Sequence, residues 1–198
     1  MRLNQYRPLL MLVAIVAIIQ ACSSGRQVTR VDPNTQIDIS GRWNDTDSKQ
    51  VAEEMISDAL SKPWLSRFNA NHNKPPVLII GDVLNSSHEH ISAETFIKDI
   101  ERAFINSGKV RIVENNYFRD KLREEVDNQQ VNATEETRKQ IARELGADLM
   151  MFGTINSTVD AYKKERLVNY KVNMELVELQ STEKVWIGDK EIKKYIKN

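Results

Sequence analysis

Between Val168 and Leu176 apolar and polar residues alternate without a break: Val168, Tyr170, Val172, Met174 and Leu176 against Asn169, Lys171, Asn173 and Glu175. A period of two sends each set to its own side of an extended chain, so this stretch predicts a strand with one buried and one wet face. Two other runs show no alternation at all, Val77-Leu78-Ile79-Ile80 and Leu149-Met150-Met151-Phe152. Continuous apolarity suits a strand covered on both faces, the usual state of a parallel sheet. A chain holding both kinds must build a sheet that changes character, with a parallel half first and an antiparallel half last.

The connecting segments agree. After the strand Val77 to Val83, a helix is expected over Ser92 to Asn106, with Ala93, Phe96, Ile97, Ile100 and Phe104 on one face and Gly108 as its C-cap. Val110 to Val113 follows as a short strand, which completes a βαβ unit. Asn116 to about Val126 reads as helix and Asp127 to Ala133 as a polar turn. A further helix is capped near Thr134, buries Ile141, Ala142 and Leu145, and stops at Gly146; the strand Leu149 to Phe152 is then parallel by connection length. Upstream, Asp45, Asp47 or Ser48 can cap a helix in which Val51, Ala52, Met55, Ile56, Ala59 and Leu60 recur at helical spacing. Pro63 is expected to stop that helix and to leave Trp64, Leu65 and Phe68 as an apolar patch in a loop. Thr154 to Tyr162 offers another strand, and Lys184 to Ile187 returns beside the alternating one. Trp186 is assigned to the core. Trp43 and Trp64 lie in irregular segments, either packed on the domain or presented for docking. The predicted fold class is α/β, a mixed sheet with flanking helices.

The N-terminus has its own logic. Arg2 and Arg7 precede eleven apolar residues, Leu9 to Ile19, and the run ends at Ile19-Gln20-Ala21-Cys22. Eleven residues fall short of the roughly 20 that a permanent membrane helix needs, whereas a short apolar run behind basic residues reads as a secretory leader. Ile at −3 and Ala at −1 before the chain's single Cys resemble a lipobox, so residues 1–21 are expected to be a cleaved signal peptide and the Cys22 sulfur the lipidation site. Ser23 in place of Asp resembles the sorting signal for the outer membrane, with the protein facing the periplasm. Residues 22–36 are polar, contain Pro33 and read as a flexible tether, and residues 37–198 as one domain.

Composition excludes several classes. The chain carries 28 basic and 28 acidic residues; without Arg2 and Arg7 the mature count is 26 against 28. That leaves no basic excess to suggest nucleic acid as a partner. With the one Cys carrying lipid, no disulfide is possible and stability must come from packing. No Gly-x-Ser-x-Gly elbow, P-loop or Gly-x-Gly-x-x-Gly occurs, so no nucleophile or cofactor cradle is expected. His88-Glu89-His90, with Asp82 upstream, could offer imidazole and carboxylate to zinc. Its spacing is not that of a metalloprotease and the loop is polar, so two solvated histidines before a helix are the plainer expectation and no metal is assigned. Lys163, Lys164 and Arg166, then Lys190, Lys193, Lys194 and Lys197, form two basic runs. These are expected to be solvated edges that discourage strand pairing, with partner binding by the C-terminal lysines as the alternative. The sequons at Asn85, Asn132 and Asn156 are treated as chance.

Four stretches together resemble a known family. They are Asp38-Ile39-Ser40-Gly41-Arg42-Trp43-Asn44-Asp45 with Asp47; Phe104-Ile105-Asn106-Ser107-Gly108-Lys109-Val110; Ala142-Arg143-Glu144-Leu145-Gly146-Ala147-Asp148 leading into Leu149-Met150-Met151-Phe152-Gly153-Thr154-Ile155; and Thr182-Glu183-Lys184-Val185-Trp186. In this order behind a lipobox they resemble the LpoB family, outer-membrane lipoproteins that activate bifunctional penicillin-binding proteins, over roughly Ile37 to Ile187. The resemblance implies a TolB N-terminal-like sandwich and no catalysis or cofactor. It also implies a monomer that regulates peptidoglycan synthesis by touching a docking domain on a class A penicillin-binding protein. By resemblance alone, Gly41, Arg42, Trp43, Asn44 and Asp47 are the expected contact residues. The Leu-Gly-Ala-Asp element also occurs in CsgG-like domains, so an accessory of a secretion or surface-assembly complex is the alternative. Well-known members of the LpoB family carry a long Pro-rich tether. Here the tether is short, with a reach of about 45–50 Å at roughly 3.3–3.6 Å per residue.

Overall fold

The computed structural model describes residues 28–32, 35–113, 140 and 144–197. Cys22, the helix expected at Asn116–Val126 and, apart from Gln140, residues 134–143 of the helix expected from Thr134 lie outside the described residues. In the segment Met1–Thr35, residues 28–32 are exposed, and the Thr35 amide donates to the Asp32 carbonyl at 2.9 Å. All the architecture below belongs to the compact unit Gln36–Asn198.

Helix α1 spans Asp45–Ser61, α2 Pro63–His72, β1 Val77–Ser86, α3 Ala93–Ser107, β2 Arg111–Ile112, β3 Leu149–Tyr162, β4 Glu165–Glu178 and β5 Lys184–Lys197. The strands form one sheet in the order β2-β1-β3-β4-β5. β1 is parallel to β2 and β3, and β4 is antiparallel to both β3 and β5. The fold is thus α/β with a mixed sheet and flanking helices, parallel where the apolar runs are continuous and antiparallel where they alternate.

Burial follows the same division. Leu78 and Ile80 face one core with α1, α2 and α3, whereas Val77 and Ile79 enter a second, smaller cluster with Ala147, Met150 and Leu179 on the opposite face. In β4, Val168, Tyr170, Val172, Met174 and Leu176 are fully buried and the residues between them half exposed. α3 lays Phe96, Ile97, Ile100 and Phe104 onto that sheet face, each worth about 1.5–3 kcal/mol of apolar burial. Gly153 in β3 lets β4 approach closely, since a Cβ there would sit 2.3 Å from the Asn173 carbonyl oxygen and the Met174 sulfur.

Several local expectations needed correction. Pro63 does not leave a loop behind it; it opens α2 at the first helical position, where the missing N–H would have had no partner. Trp64, Leu65 and Phe68 are therefore a buried helical stripe, and the Trp64 indole donates to the Ala59 carbonyl at 2.6 Å. The cap of α1 is Asn44, not Asp45, Asp47 or Ser48; Asn44 accepts from the Asp47 amide while the Asp47 carboxylate accepts from the Asn44 amide, a reciprocal capping box. Leu149–Phe152 and Thr154–Tyr162 are one strand. β5 continues ten residues past Ile187, to Lys197, and so brings the C-terminal lysines into the sheet.

Candidate docking surface

The segment Asp38–Asn44 lies against the domain as a strap, fastened at two points. At the first, the Lys194 ammonium reaches across from β5 to Asp38 Oδ1 at 2.5 Å, Asp47 Oδ2 at 2.5 Å and the Arg42 carbonyl at 2.9 Å. Both the Lys194 and Asp47 side chains are almost wholly buried, whereas Asp38 keeps 37 % of its surface in water. Burial pulls the Lys194 ammonium down, but the bonds to Asp38 and Asp47 outweigh it and leave the group above lysine's usual range. The same Lys194 contact holds the Asp38 carboxyl below its ordinary value. Gly41 makes the crossing possible: its φ is +66°, and a Cβ there would collide with the Ile196 side chain.

The second fastening is aromatic. The Trp43 ring packs edge-on against Tyr170 and Phe96, with centroids 5.5 and 6.5 Å apart. Its indole N–H donates to Ser48 Oγ at 2.7 Å and its backbone amide to Glu89 Oε2 at 3.2 Å. The Tyr170 hydroxyl lies beside Glu89; burial first, then that carboxylate, pushes its pKa well above the usual value.

His88 completes the arrangement from the β1–α3 loop. Arg166 on β4 donates to His88 Nε2 at 2.8 Å, so the ring proton sits on Nδ1, which donates to Ser157 Oγ. An imidazole in this tautomer cannot take a proton from Ser157, and the pair is not a nucleophile and its base. Glu89 Oε1 is 3.3 Å from the same ring. His90 is exposed, and among the described residues no three His, Cys, Asp or Glu side chains gather to hold a metal.

The five expected contact residues are thus brought together, but most are occupied internally. Gly41 packs on β5, Trp43 is half buried, and Asn44 and Asp47 form the helix cap; Arg42 alone projects its side chain into solvent. Trp186 is in the core, with its indole donating to Asp58. Lys194, expected on a solvated edge, is buried instead, and the signal for this is in the sequence. Trp186, Lys190, Ile192, Lys194 and Ile196 share one parity, which places Lys194 on the core face among apolar residues.

The LpoB C-terminal domain from Escherichia coli superposes with a TM-score of 0.53 at 19% identity, covering 74% of this chain and 98% of that one. The LpoB C-terminal domain from Salmonella enterica gives 0.45 at 17%, with the same coverage. Lipoprotein GNA1162 from Neisseria meningitidis gives 0.47 at 11%, covering 61% and 84%. At such identities the first likeness speaks for the fold. No curated relative matches the sequence. The family model described as peptidoglycan-synthase activator LpoB matches residues 47–192. That span takes in α1 from Asp47 on, the whole described sheet except the last residues of β5, and the buried residues of both core clusters, and the chain belongs to the LpoB family.

Proposed function

We propose that this chain is an outer-membrane lipoprotein, cleaved before Cys22 and acylated there, whose domain faces the periplasm. There it binds and activates a bifunctional class A penicillin-binding protein. The observation that carries the reading is the match of the activator family across residues 47–192, and the lipobox-like Ile19-Gln20-Ala21-Cys22 supports it. The protein works by contact, without cofactor or catalysis of its own: binding raises synthase activity if the lipoprotein prefers the active conformation of its partner. Acyl chains on Cys22 hold the domain at the membrane and raise its effective concentration near the synthase. Arg42 is the contact side chain of the strap, and Gly41, Trp43, Asn44 and Asp47 fix the backbone that presents it.

The test is capture of a class A synthase by the chain, together with glycan polymerisation and crosslinking measured with and without it. Capture and a faster rate are expected, both weakened by Arg42→Glu. A chain that neither binds nor changes either rate ends the proposal. Mass spectrometry of the native protein should find acyl chains on Cys22.

A further inference from the structure

Two basic runs lie some thirty residues apart in sequence, and the register of β4 with β5 brings them to one end of the sheet. Glu165 pairs with Lys197, Leu167 with Tyr195 and Asn169 with Lys193, while the β3–β4 turn places Lys163 and Lys164 at the same tip. Burial fades along the last residues of β3, and Lys163, Lys164, Lys193 and Lys197 are all exposed. From 158 to 167 and 191 to 197 the cations Lys163, Lys164, Arg166, Lys193 and Lys197 face three carboxylates, Asp160, Glu165 and Glu191, with Lys193 3.8 Å from Glu191 and Lys197 3.7 Å from Glu165. Lys194 is occupied by Asp38 and Asp47.

Apolar side chains collect at the same end. Tyr162 is 70 % exposed and Tyr195 61 %, with Val159 and Leu167 near 40 %. The strap adds Ile37 and Ile39, which flank Asp38. Six of the nine exposed large apolar residues in the unit Gln36–Asn198 are therefore at one end of one sheet. Tyrosines among lysines, with a few aliphatic side chains, are the composition found where protein meets lipid headgroups. The rings lie at headgroup depth and the ammonium groups reach phosphates.

The chain's own connectivity selects the occupant. Asp38 is bound to Lys194 and Gly41 packs on Ile196, so the polypeptide enters the domain at this basic, aromatic end. About fifteen residues upstream is Cys22, within an extended reach of about 50 Å. We infer that this end of the sheet, Tyr162 to Leu167 with Lys193 to Lys197, docks on anionic phospholipid headgroups and stands the domain end-on at the membrane. The inference rests on the lipid-anchored reading above. The strap that carries Arg42 lies at the same end, with the Arg42 carbonyl on Lys194 and Gly41 on Ile196, so a domain docked on the membrane and a domain whose Arg42 touches the synthase are alternative positions of one surface.

A chain beginning at residue 22 and carrying Cys22→Ser keeps the whole compact unit and has no acyl group. Its co-flotation with phosphatidylcholine vesicles, with and without phosphatidylglycerol, therefore reads the surface independently of the anchor, and mass spectrometry of Cys22 reads the anchor alone. Binding is expected only with phosphatidylglycerol, and it should weaken as salt rises. Each lysine near such a surface is worth about fivefold, so Lys164→Gln with Lys193→Gln should lower partitioning about thirtyfold at unchanged melting temperature. Lys62→Gln with Lys109→Gln, an equal charge change at the opposite end, should leave it intact. The inference is overturned by no binding, by equal binding to neutral vesicles, or by equal loss in both double variants. Sedimentation with purified peptidoglycan or an acidic protein in place of vesicles overturns it as well.

Discussion

Replacing Lys194 by Met tests whether the strap is held by a buried charge. Methionine fills similar volume and removes only the ammonium. Asp47, with 3 % of its side chain exposed, would then keep one hydrogen bond, from the Asn44 amide at 2.9 Å, and lose its counter-charge. Breaking a buried pair by deleting one partner costs about 3–5 kcal/mol. The surviving cap bond puts this case near the lower value, about 3 kcal/mol. For a domain of this size that is a fall in Tm of roughly 6–12 °C. Asp38→Asn removes the half-exposed partner, and solvent screening limits its cost to a few tenths of a kcal/mol. Lys194→Met combined with Asp47→Asn leaves no buried unpaired charge, only the solvent-exposed Asp38 carboxylate, and retains a cap acceptor, so the pair should recover about 2 kcal/mol relative to the sum of the single changes. Urea denaturation of the four variants measures each value, and the indole N–H resonance of Trp43 reports the strap. A Lys194→Met cost below about 1 kcal/mol, or simple additivity with Asp47→Asn, would refute the clasp as the fastening.

Phe104→Ala, at a fully buried position on α3, should cost about 3–5 kcal/mol in urea denaturation through the cavity it leaves. Gly153→Ala forces a methyl group onto the Asn173 carbonyl and should cost about 2–3 kcal/mol, with hydrogen exchange accelerating first along the β3–β4 ladder. Acid titration should weaken the fold. Asp38, Glu54 and Asp58 have folded values below their ordinary 3.8, 4.5 and 3.8, so their stabilisation is present above those values and disappears as pH falls through the lower folded ones. Lys194 has the opposite sign: its share is present below the ordinary 10.5 and disappears as pH rises through the raised folded value. Melting temperature should therefore be flat between about pH 5 and 10 and fall on either side, and a midpoint that climbs on acidification would contradict the assigned pairs.

Much of this protein is written locally. The alternation in Val168–Leu176, the continuous runs at 77–80 and 149–152, and the stripe of Phe96, Ile100 and Phe104 each encode which face must leave water, because periodicity and burial are the same fact read at two scales. Those signals suffice for a mixed sheet with flanking helices. Pro63 misleads for an equally local reason: the residue that ends one helix is suited to begin the next, and only the buried stripe Trp64-Leu65-Phe68 separates the two outcomes.

Long-range partnerships were decided by the tertiary structure. Nothing near Asp38 announces Lys194, and nothing near Glu165 announces Lys197; a side chain reaching from β5 joins the first pair and strand register the second. Asp38–Asp47 reads as a loop before a helix, yet its charged and aromatic groups are taken up by β4, β5 and the β1–α3 loop. Side-chain chemistry is local, but burial of a charge is tolerated only where another element supplies its partner, and that partner's position exists only once the sheet has closed beside it.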